Sequence, residues 1–243
     1  MLSARDVHKS FGSNHVLRGI NLDIAPGTIT CAIGPSGTGK TTLLRALAML
    51  DYPDQGTLTI DGVAYNFPMD PKEKIVPPWP HLTVVFQSLF LWPHLTLREN
   101  ILLPARKHNP SGCEKDLQGL VKLFEMEGFI DNYPNESSLG QRQRVALARA
   151  LILNPRYLLL DEITSALDVE QAGRILTKLG HLKEQGIGVF LITHQVGFAR
   201  KMADQIVFME NGVVMESGPP AVLANPKTER LREFLSMAGV LQT

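Results

Sequence analysis

One stretch limits what this 243-residue chain can fold into more than any other: Gly34-Pro35-Ser36-Gly37-Thr38-Gly39-Lys40-Thr41. It fits the phosphate-binding-loop pattern G-x-x-x-x-G-K-[ST] at every specified position. Ile29-Thr30-Cys31-Ala32-Ile33 before it reads as a short buried strand, and Thr42 to Leu50 after it reads as a helix. Leu43, Leu44, Leu47 and Leu50 make one apolar stripe at helical spacing. The loop therefore has the strand–loop–helix setting that the pattern needs. Gly34, Gly37 and Gly39 let the backbone curl and turn its N–H groups inward, and the helix N-terminus adds partial positive charge. Lys40 is placed to reach terminal phosphates, and the Thr41 hydroxyl to bind Mg²⁺.

Charge and cysteine usage narrow the partners. Lys+Arg and Asp+Glu both total 24, so the net charge is zero and no nucleic-acid partner is expected. Cys31 and Cys113 are too few for a disulfide framework and fit a reducing compartment; Cys31 is expected to pack as a small apolar residue. Arg5, Asp6, His8 and Lys9 break any N-terminal apolar run, so no signal peptide is expected. No stretch approaches the ~20 apolar residues needed to span a bilayer. The chain is expected to be soluble and to meet a membrane only through a partner.

Along the chain, Leu2–Val7 and Val16–Ile24 read as strands, with Phe11-Gly12 in the turn between them. Phe11 either stacks on an adenine ring or is an ordinary core aromatic. Gly56–Ile60 reads as a strand, and Asn66–Pro80, with five prolines, as a surface loop. Val84-Val85-Phe86 reads as a buried strand with Gln87 at its end, where an amide either ligates Mg²⁺ or is a plain loop residue. The apolar run Leu89–Leu95 is either core or a docking surface for another protein. Thr96-Leu97-Arg98-Glu99 is a capping box. A second helix carries Leu117, Leu120, Val121 and Phe124 on one face, and no strand signal occurs from Thr96 to Leu153, which suggests an inserted helical subdomain.

Further on, Ser137-Ser138-Leu139-Gly140-Gln141 opens a helix through Leu151 and offers an anion site. Tyr157–Leu160 reads as a buried strand ending in Asp161-Glu162, two carboxylates suited to a Mg²⁺ site and a base for water. Ser165-Ala166-Leu167-Asp168 precedes a helix with Ile175, Leu176, Leu179 and Leu182. Gly188–Thr193 reads as a strand with His194 at its end. Such strand ends gather on one edge of an α/β sheet, where ligands bind. Asn211-Gly212 between two apolar runs marks a hairpin, and a short tail helix carries Leu231, Phe234 and Leu235.

Taken in order, these residues resemble the ATP-binding cassette (ABC) ATPases over nearly the whole chain. The stretch from Phe86-Gln87 through Leu91-Trp92-Pro93-His94-Leu95-Thr96 resembles the cassette subunits of bacterial polar amino-acid importers. The resemblance implies an α/β fold: a P-loop NTPase (RecA-like) core with an antiparallel β subdomain (1–95 and 154–218), an inserted helical subdomain (96–153) and a tail (219–243). It implies ATP and Mg²⁺ as ligands. Phe11 stacks on adenine; Ser36, Gly37, Thr38, Gly39, Lys40, Thr41 and Thr42 cradle the phosphates. Thr41 and Gln87 ligate Mg²⁺, and Asp161 holds it largely through water. Glu162 is the general base and His194 contacts the γ-phosphate. Ser138, Gly140 and Gln141 close on ATP bound to the opposite subunit of a homodimer, and Asp168 couples the two sites.

The expected partners are transmembrane permease subunits docking near Leu89–Leu95 and a substrate-binding protein, with the chain on the inner face of the cell membrane. A soluble ABC-type ATPase and a nucleotide-gated clamp with poor hydrolysis are the competing classes. The chain departs from the family signature Leu-Ser-Gly-Gly-Gln at two places, Ser137 and Leu139. A Leu adds bulk beside the anion site and disfavours positive φ, so either it detunes the signature or it points away and packs in the helical subdomain.

Overall fold

Two strand patterns in the sequence become two sheets in the computed structural model, which describes residues 1–70, 72, 74–163 and 169–239. In order the elements are β1 (Leu2–Phe11), β2 (Asn14–Ile24), β3 (Ile29–Ile33), α1 (Lys40–Leu47), β4 (Gln55–Ile60), β5 (Val63–Phe67) and β6 (Leu82–Val85). Then come α2 (Leu97–His108), α3 (Cys113–Leu123), α4 (Leu139–Leu151), β7 (Tyr157–Asp161), α5 (Val169–Glu184) and β8 (Gly188–Ile192). The chain continues through α6 (Val196–Met202), β9 (Gln205–Glu210), β10 (Val213–Gly218) and α7 (Glu229–Met237).

β1 and β2 alternate buried and exposed residues, as strands of a sheet with one wet face do. They form an antiparallel sheet in the order β2-β1-β4-β5. β3, β7 and β8 are buried at every residue, the signature of strands covered on both faces. They lie inside a second sheet, β10-β9-β3-β8-β7-β6, parallel except for the β9–β10 hairpin. Asn211 and Gly212 take φ of 48° and 78°, which the hairpin turn requires. The two sheets are tied at Asp61, which accepts from the Tyr157 hydroxyl at 2.8 Å, from Arg156 at 3.0 Å and from the chain's N-terminus at 3.2 Å. Between β6 and β7 the described chain carries only helices, including one 3-10 turn at Pro134–Glu136. The capping box at Thr96 forms, with Glu99 N–H donating to Thr96 Oγ1 and Thr96 N–H to Glu99 Oε2. No helix among the described residues is long and apolar enough to cross a membrane.

Several expectations change. α1 begins at Lys40 and ends at Leu47, so Leu43, Leu44 and Leu47 are fully buried while Leu50 lies past the helix and is 53% exposed. Asn66 and Phe67 belong to β5, a strand hidden from the sequence by the prolines that follow, and Phe67 is buried. β1 runs on to Phe11, β2 starts at Asn14, and β6 starts at Leu82 and ends before Phe86. Phe11 is 52% exposed, which removes the core reading. α6 follows His194 without having been foreseen, its apolar stripe being only Val196, Phe198 and Ala199. Pro71, Ser165, Ala166, Leu167 and Asp168 lie outside the described residues, as does the Leu176 side chain.

The corrected stripe has a measurable consequence. Leu44→Ala is expected to cost about 2–5 kcal/mol of unfolding free energy, and Leu50→Ala less than about 0.5 kcal/mol. Urea unfolding of both variants checks this; equal losses would return Leu50 to the buried face.

Candidate nucleotide site

The site grows out of strand direction. β3, β8, β7 and β6 run parallel, with Ala32 opposite Ile192, Ile192 opposite Asp161, and Leu160 opposite Val85. All four therefore end on one edge. The phosphate loop leaves β3 there, Gln87 follows β6, Asp161-Glu162 closes β7, and His194 follows β8.

The loop is shaped by glycine where nothing else fits. Gly34 has φ 145°, and a Cβ there would sit 2.1 Å from the Met209 carbonyl oxygen of β9. Gly39 has φ 94°, and a Cβ there would lie 2.9 Å from the Val16 carbonyl oxygen. Lys40 is folded into the curl: its Nζ donates to the carbonyls of Gly34 at 2.9 Å and Pro35 at 2.7 Å. Thr38 Oγ1 donates to the Pro35 carbonyl at 3.0 Å. Burial lowers the pKa of the Lys40 ammonium, and the carboxylates of Glu162 and Asp161 oppose that shift.

Thr41 Oγ1 donates to Asp161 Oδ1 at 3.3 Å. Burial raises the Asp161 pKa and the neighbouring Glu162 adds to it, while the Thr41 hydrogen bond, Lys40 and His194 pull it down. Glu162 holds φ 50°, unusual for a residue with a side chain. Its backbone N–H donates to the Ile192 carbonyl at 3.0 Å, which fixes it against the end of β8. There its Oε1 lies 2.6 Å from His194 Nε2. Backbone strain of this kind costs about 1–3 kcal/mol and gathers at functional sites.

A cleft of about 200 Å³ opens on these groups, lined by Val16, Ser36, Gly37, Gly39, Lys40, Thr41, Thr42, Glu162 and His194. The donor set beside it fits Mg²⁺. The Thr41 hydroxyl and the Asp161 carboxylate are hard oxygen ligands, and the exposed Gln87 amide stands at the adjoining strand end. Among the described residues no group of three or more His, Cys, Asp or Glu gathers as an all-protein metal cage. Mg²⁺ needs none, since it takes most of its ligands from phosphate and water.

Gly34, Thr38, Gln87 and Asp161 are near the cleft without lining it, and two further sets of expected residues stand apart from it. Phe11 is exposed at the end of β1, with Lys9 Nζ 5.5 Å from its ring, and does not line it. Ser138, Gly140 and Gln141 do not line it either. They form the start of α4, where Ser138 Oγ accepts from Gln141 N–H at 3.2 Å and Gln141 Oε1 accepts from Ser138 N–H at 2.8 Å. Leu139 is the first helical residue, has no positive φ, and packs half-buried against the main core. The φ penalty expected of it does not arise, because the backbone there is one that any residue adopts, and the side chain has apolar neighbours.

Sequence reasoning missed Val16, an ordinary strand residue with nothing to mark it. It also missed Arg149, whose fork donates to the carbonyls of Leu89 and Phe90. Its setting in Leu147-Ala148-Arg149-Ala150-Leu151, a charge inside an apolar helix face, was the available signal. The Leu89–Leu95 run divides: Leu89 is buried and Leu91 packs on the core, while Phe90 and Trp92 are exposed. Trp92 borders an apolar groove of about 530 Å³ that Leu50, Pro77, Pro78, Trp79, Phe86 and Pro104 also line.

Known proteins resemble this chain in sequence and in fold over most of its length. Residues 17–165 match the ABC transporter family. The glutamine transport ATP-binding protein GlnQ of Escherichia coli (strain K12) is 41% identical over 241 residues, covering 97% of this chain and 98% of that protein. The arginine transport ATP-binding protein ArgV of Corynebacterium glutamicum is 39% identical over 248 residues, covering 97% of each. Among solved structures, the dimeric ATP-binding cassette MJ0796, in a post-hydrolysis state bound to ADP and Pi, is 33% identical. It superposes with a TM-score of 0.79 over 90% of this chain and 99% of that one. The family match over residues 17–165, with relatives 41% and 39% identical over 97% of the chain, makes the chain a member of the ABC transporter family, one of its nucleotide-binding ATPases.

Proposed function

We propose that this chain is the motor subunit of an importer for polar amino acids, working as a homodimer under transmembrane permease subunits on the inner face of the membrane. The observation that carries the reading is the convergence of Lys40, Thr41, Asp161, Glu162 and His194 on one edge, in a chain whose relatives are named for glutamine and arginine transport. A substrate-binding protein that delivers the amino acid belongs to the same reading.

In this reading Phe11 stacks on adenine, while Ser36, Gly37, Thr38, Gly39, Lys40, Thr41 and Thr42 hold the phosphates through backbone N–H groups and the Lys40 charge. Thr41 and Gln87, with Asp161 largely through water, would hold Mg²⁺, which would supply neutralisation of phosphate charge. Glu162 takes a proton from the attacking water, whose oxygen bonds to the γ-phosphorus as the bond to ADP breaks. His194, 2.6 Å from Glu162, keeps that carboxylate turned toward the cleft and meets the γ-phosphate. Ser138, Gly140 and Gln141 act on ATP held by the second copy, and Asp168 links the two sites. Residues 96–153 form the helical unit that carries this signature, apart from the core of 1–95 and 154–218.

Separate losses test the separate roles. Glu162→Gln should keep ATP affinity, lower turnover at least ~10²-fold and accumulate an ATP-bound dimer; Lys40→Ala should weaken ATP binding itself. Nucleotide titration, steady-state ATPase assays and sizing distinguish them, and wild-type turnover in Glu162→Gln rules out the base.

Leu139→Gly addresses the signature. Since Leu139 is helical and packed, glycine should lose about 0.5–1 kcal/mol of stability and raise neither turnover nor ATP-dependent dimerisation. A gain in both would mean that Leu139 detunes the signature.

The groove beside Trp92 is the proposed permease seat. Leu50→Glu puts a charge on its exposed wall and should leave thermal unfolding near wild type while sharply reducing co-purification with the permease. Retention at wild-type levels would move the seat elsewhere.

A further inference from the structure

The end of β1 holds one aromatic ring against one ammonium group. Phe11 is the last residue of β1, opposite Asn14 across the hairpin turn, and is 52% exposed. Lys9, two residues earlier, lies on the same face of the strand, as the period of two requires. Its Nζ sits 5.5 Å from the Phe11 ring centre. Among the described residues the ring has no aromatic neighbour.

The ammonium is tethered. Lys9 Nζ donates to Asp54 Oδ1 at 3.0 Å, and the Lys9 side chain is only 16% exposed. Asp54 directly precedes β4, which flanks β1 on the side away from β2. It is fixed in turn: its Oδ2 accepts from Ser10 N–H at 2.6 Å, and its own N–H donates to the His8 carbonyl at 2.8 Å. Burial acts to raise the Asp54 pKa, but the hydrogen bonds from Lys9 and Ser10 outweigh it and lower it, so the carboxylate stays charged. A lysine at a strand end ordinarily samples many rotamers. This one has a charge partner that is itself held at two backbone points.

The pair stands beside the cleft. Lys9 lies opposite Leu17 on β2 and Ser10 opposite His15, a shift of register that leaves Val16 without a partner on β1. Such a bulge re-aims a side chain, and Val16 is the β2 residue that lines the cleft. The ring and this wall of the cleft therefore belong to one short hairpin. A cation over one face of an aromatic ring is attracted by its π-electrons. It fixes the tilt of the ring and leaves the opposite face for a flat partner. Resting on the ATPase reading above, in which the base of ATP stacks on Phe11, we propose that Lys9 is a positioning residue for the nucleoside: anchored by Asp54, it backs one face of the ring and sets the other to receive the base. Lys9 then acts on the base and not on phosphate, which separates its role from that of Lys40.

Two ligands divide those roles: Mg²⁺ with the non-hydrolysable analogue adenylyl imidodiphosphate, which carries a base, and Mg²⁺ with inorganic tripolyphosphate, which does not. In calorimetric titrations of the full chain, Phe11→Ala should weaken analogue binding at least ~5-fold and Lys9→Met ~3-fold, with tripolyphosphate affinity within ~1.5-fold in both. In a Phe11→Ala background, Lys9→Met should change analogue affinity by less than ~1.5-fold, since the ring it backs is gone. A role in folding alone would weaken both ligands together. If Lys9→Met fails to fold, Lys9→Gln, which keeps an N–H donor for Asp54 and lacks the charge, carries the same expectations. Equal weakening of both ligands, a loss that persists in full without the ring, or unchanged analogue affinity overturns the proposal. Unchanged analogue affinity in Phe11→Ala also overturns it and leaves the phosphate site standing. Absence of analogue binding by the wild-type chain overturns the ATPase reading and this proposal with it.

Discussion

Parallel pairing of β3, β8, β7 and β6 is the constraint on which the rest of the molecule depends. Parallel strands end on a common edge, and each strand here delivers one group to that edge: the phosphate loop, His194, Asp161 with Glu162, and Gln87. Residues scattered over more than 150 positions come together through backbone hydrogen bonding alone. A parallel sheet must be covered on both faces, which is why β3, β7 and β8 are buried throughout and why so much of the chain is helix and a second sheet. The same logic explains Gly34. The loop leaves β3 directly beside β9, and the Met209 carbonyl occupies the space any side chain would need.

Burying Lys40 and Asp161 next to each other stores electrostatic potential. Burial shifts both toward their neutral forms, while their mutual attraction and the hydrogen bonds of Lys40 to loop carbonyls and of Asp161 to Thr41 act the other way. In the proposed function a nucleotide and its divalent cation would add further partners, anions for the ammonium and a cation for the carboxylate. Interaction strength there exceeds that in water because the groups are already desolvated. Glu162 differs from Asp161 although it is the next residue. Its φ of 50° turns it out of the strand into contact with His194 at the rim of the cleft. One carboxylate is hidden beside the Thr41 hydroxyl, and the other lines the cleft.

Most of the phosphate site was legible in the sequence because its chemistry depends on local order: glycines at fixed spacing, then Lys40, then a hydroxyl, and charges directly after apolar strands. Runs such as Tyr157–Leu160 also reveal their burial without help. What stayed hidden depends on tertiary contacts. Leu50 continues a helical stripe on paper, but α1 ends at Leu47 and the stripe ends with it. β5 is five residues of mixed character before prolines, and it is a strand because β4 pairs with it. The apolar run Leu89–Leu95 could not be assigned as core or surface because it is both, with Leu89 inside and Phe90 outside. Leu139 departs from the family signature in sequence, whereas in structure it is an ordinary first helical residue with apolar neighbours.

Helix α4 brings these strands of the argument to one element. Its first turn is closed by the reciprocal Ser138–Gln141 pair, with Ser138 exposed and the residues after it half-buried. Its middle packs Val145, Ala146, Leu147 and Ala148 into the core. Its last turn carries Arg149 to the turn behind Gln87. A capped start, a buried middle and an arginine bonded to the turn behind Gln87 therefore lie along one helix.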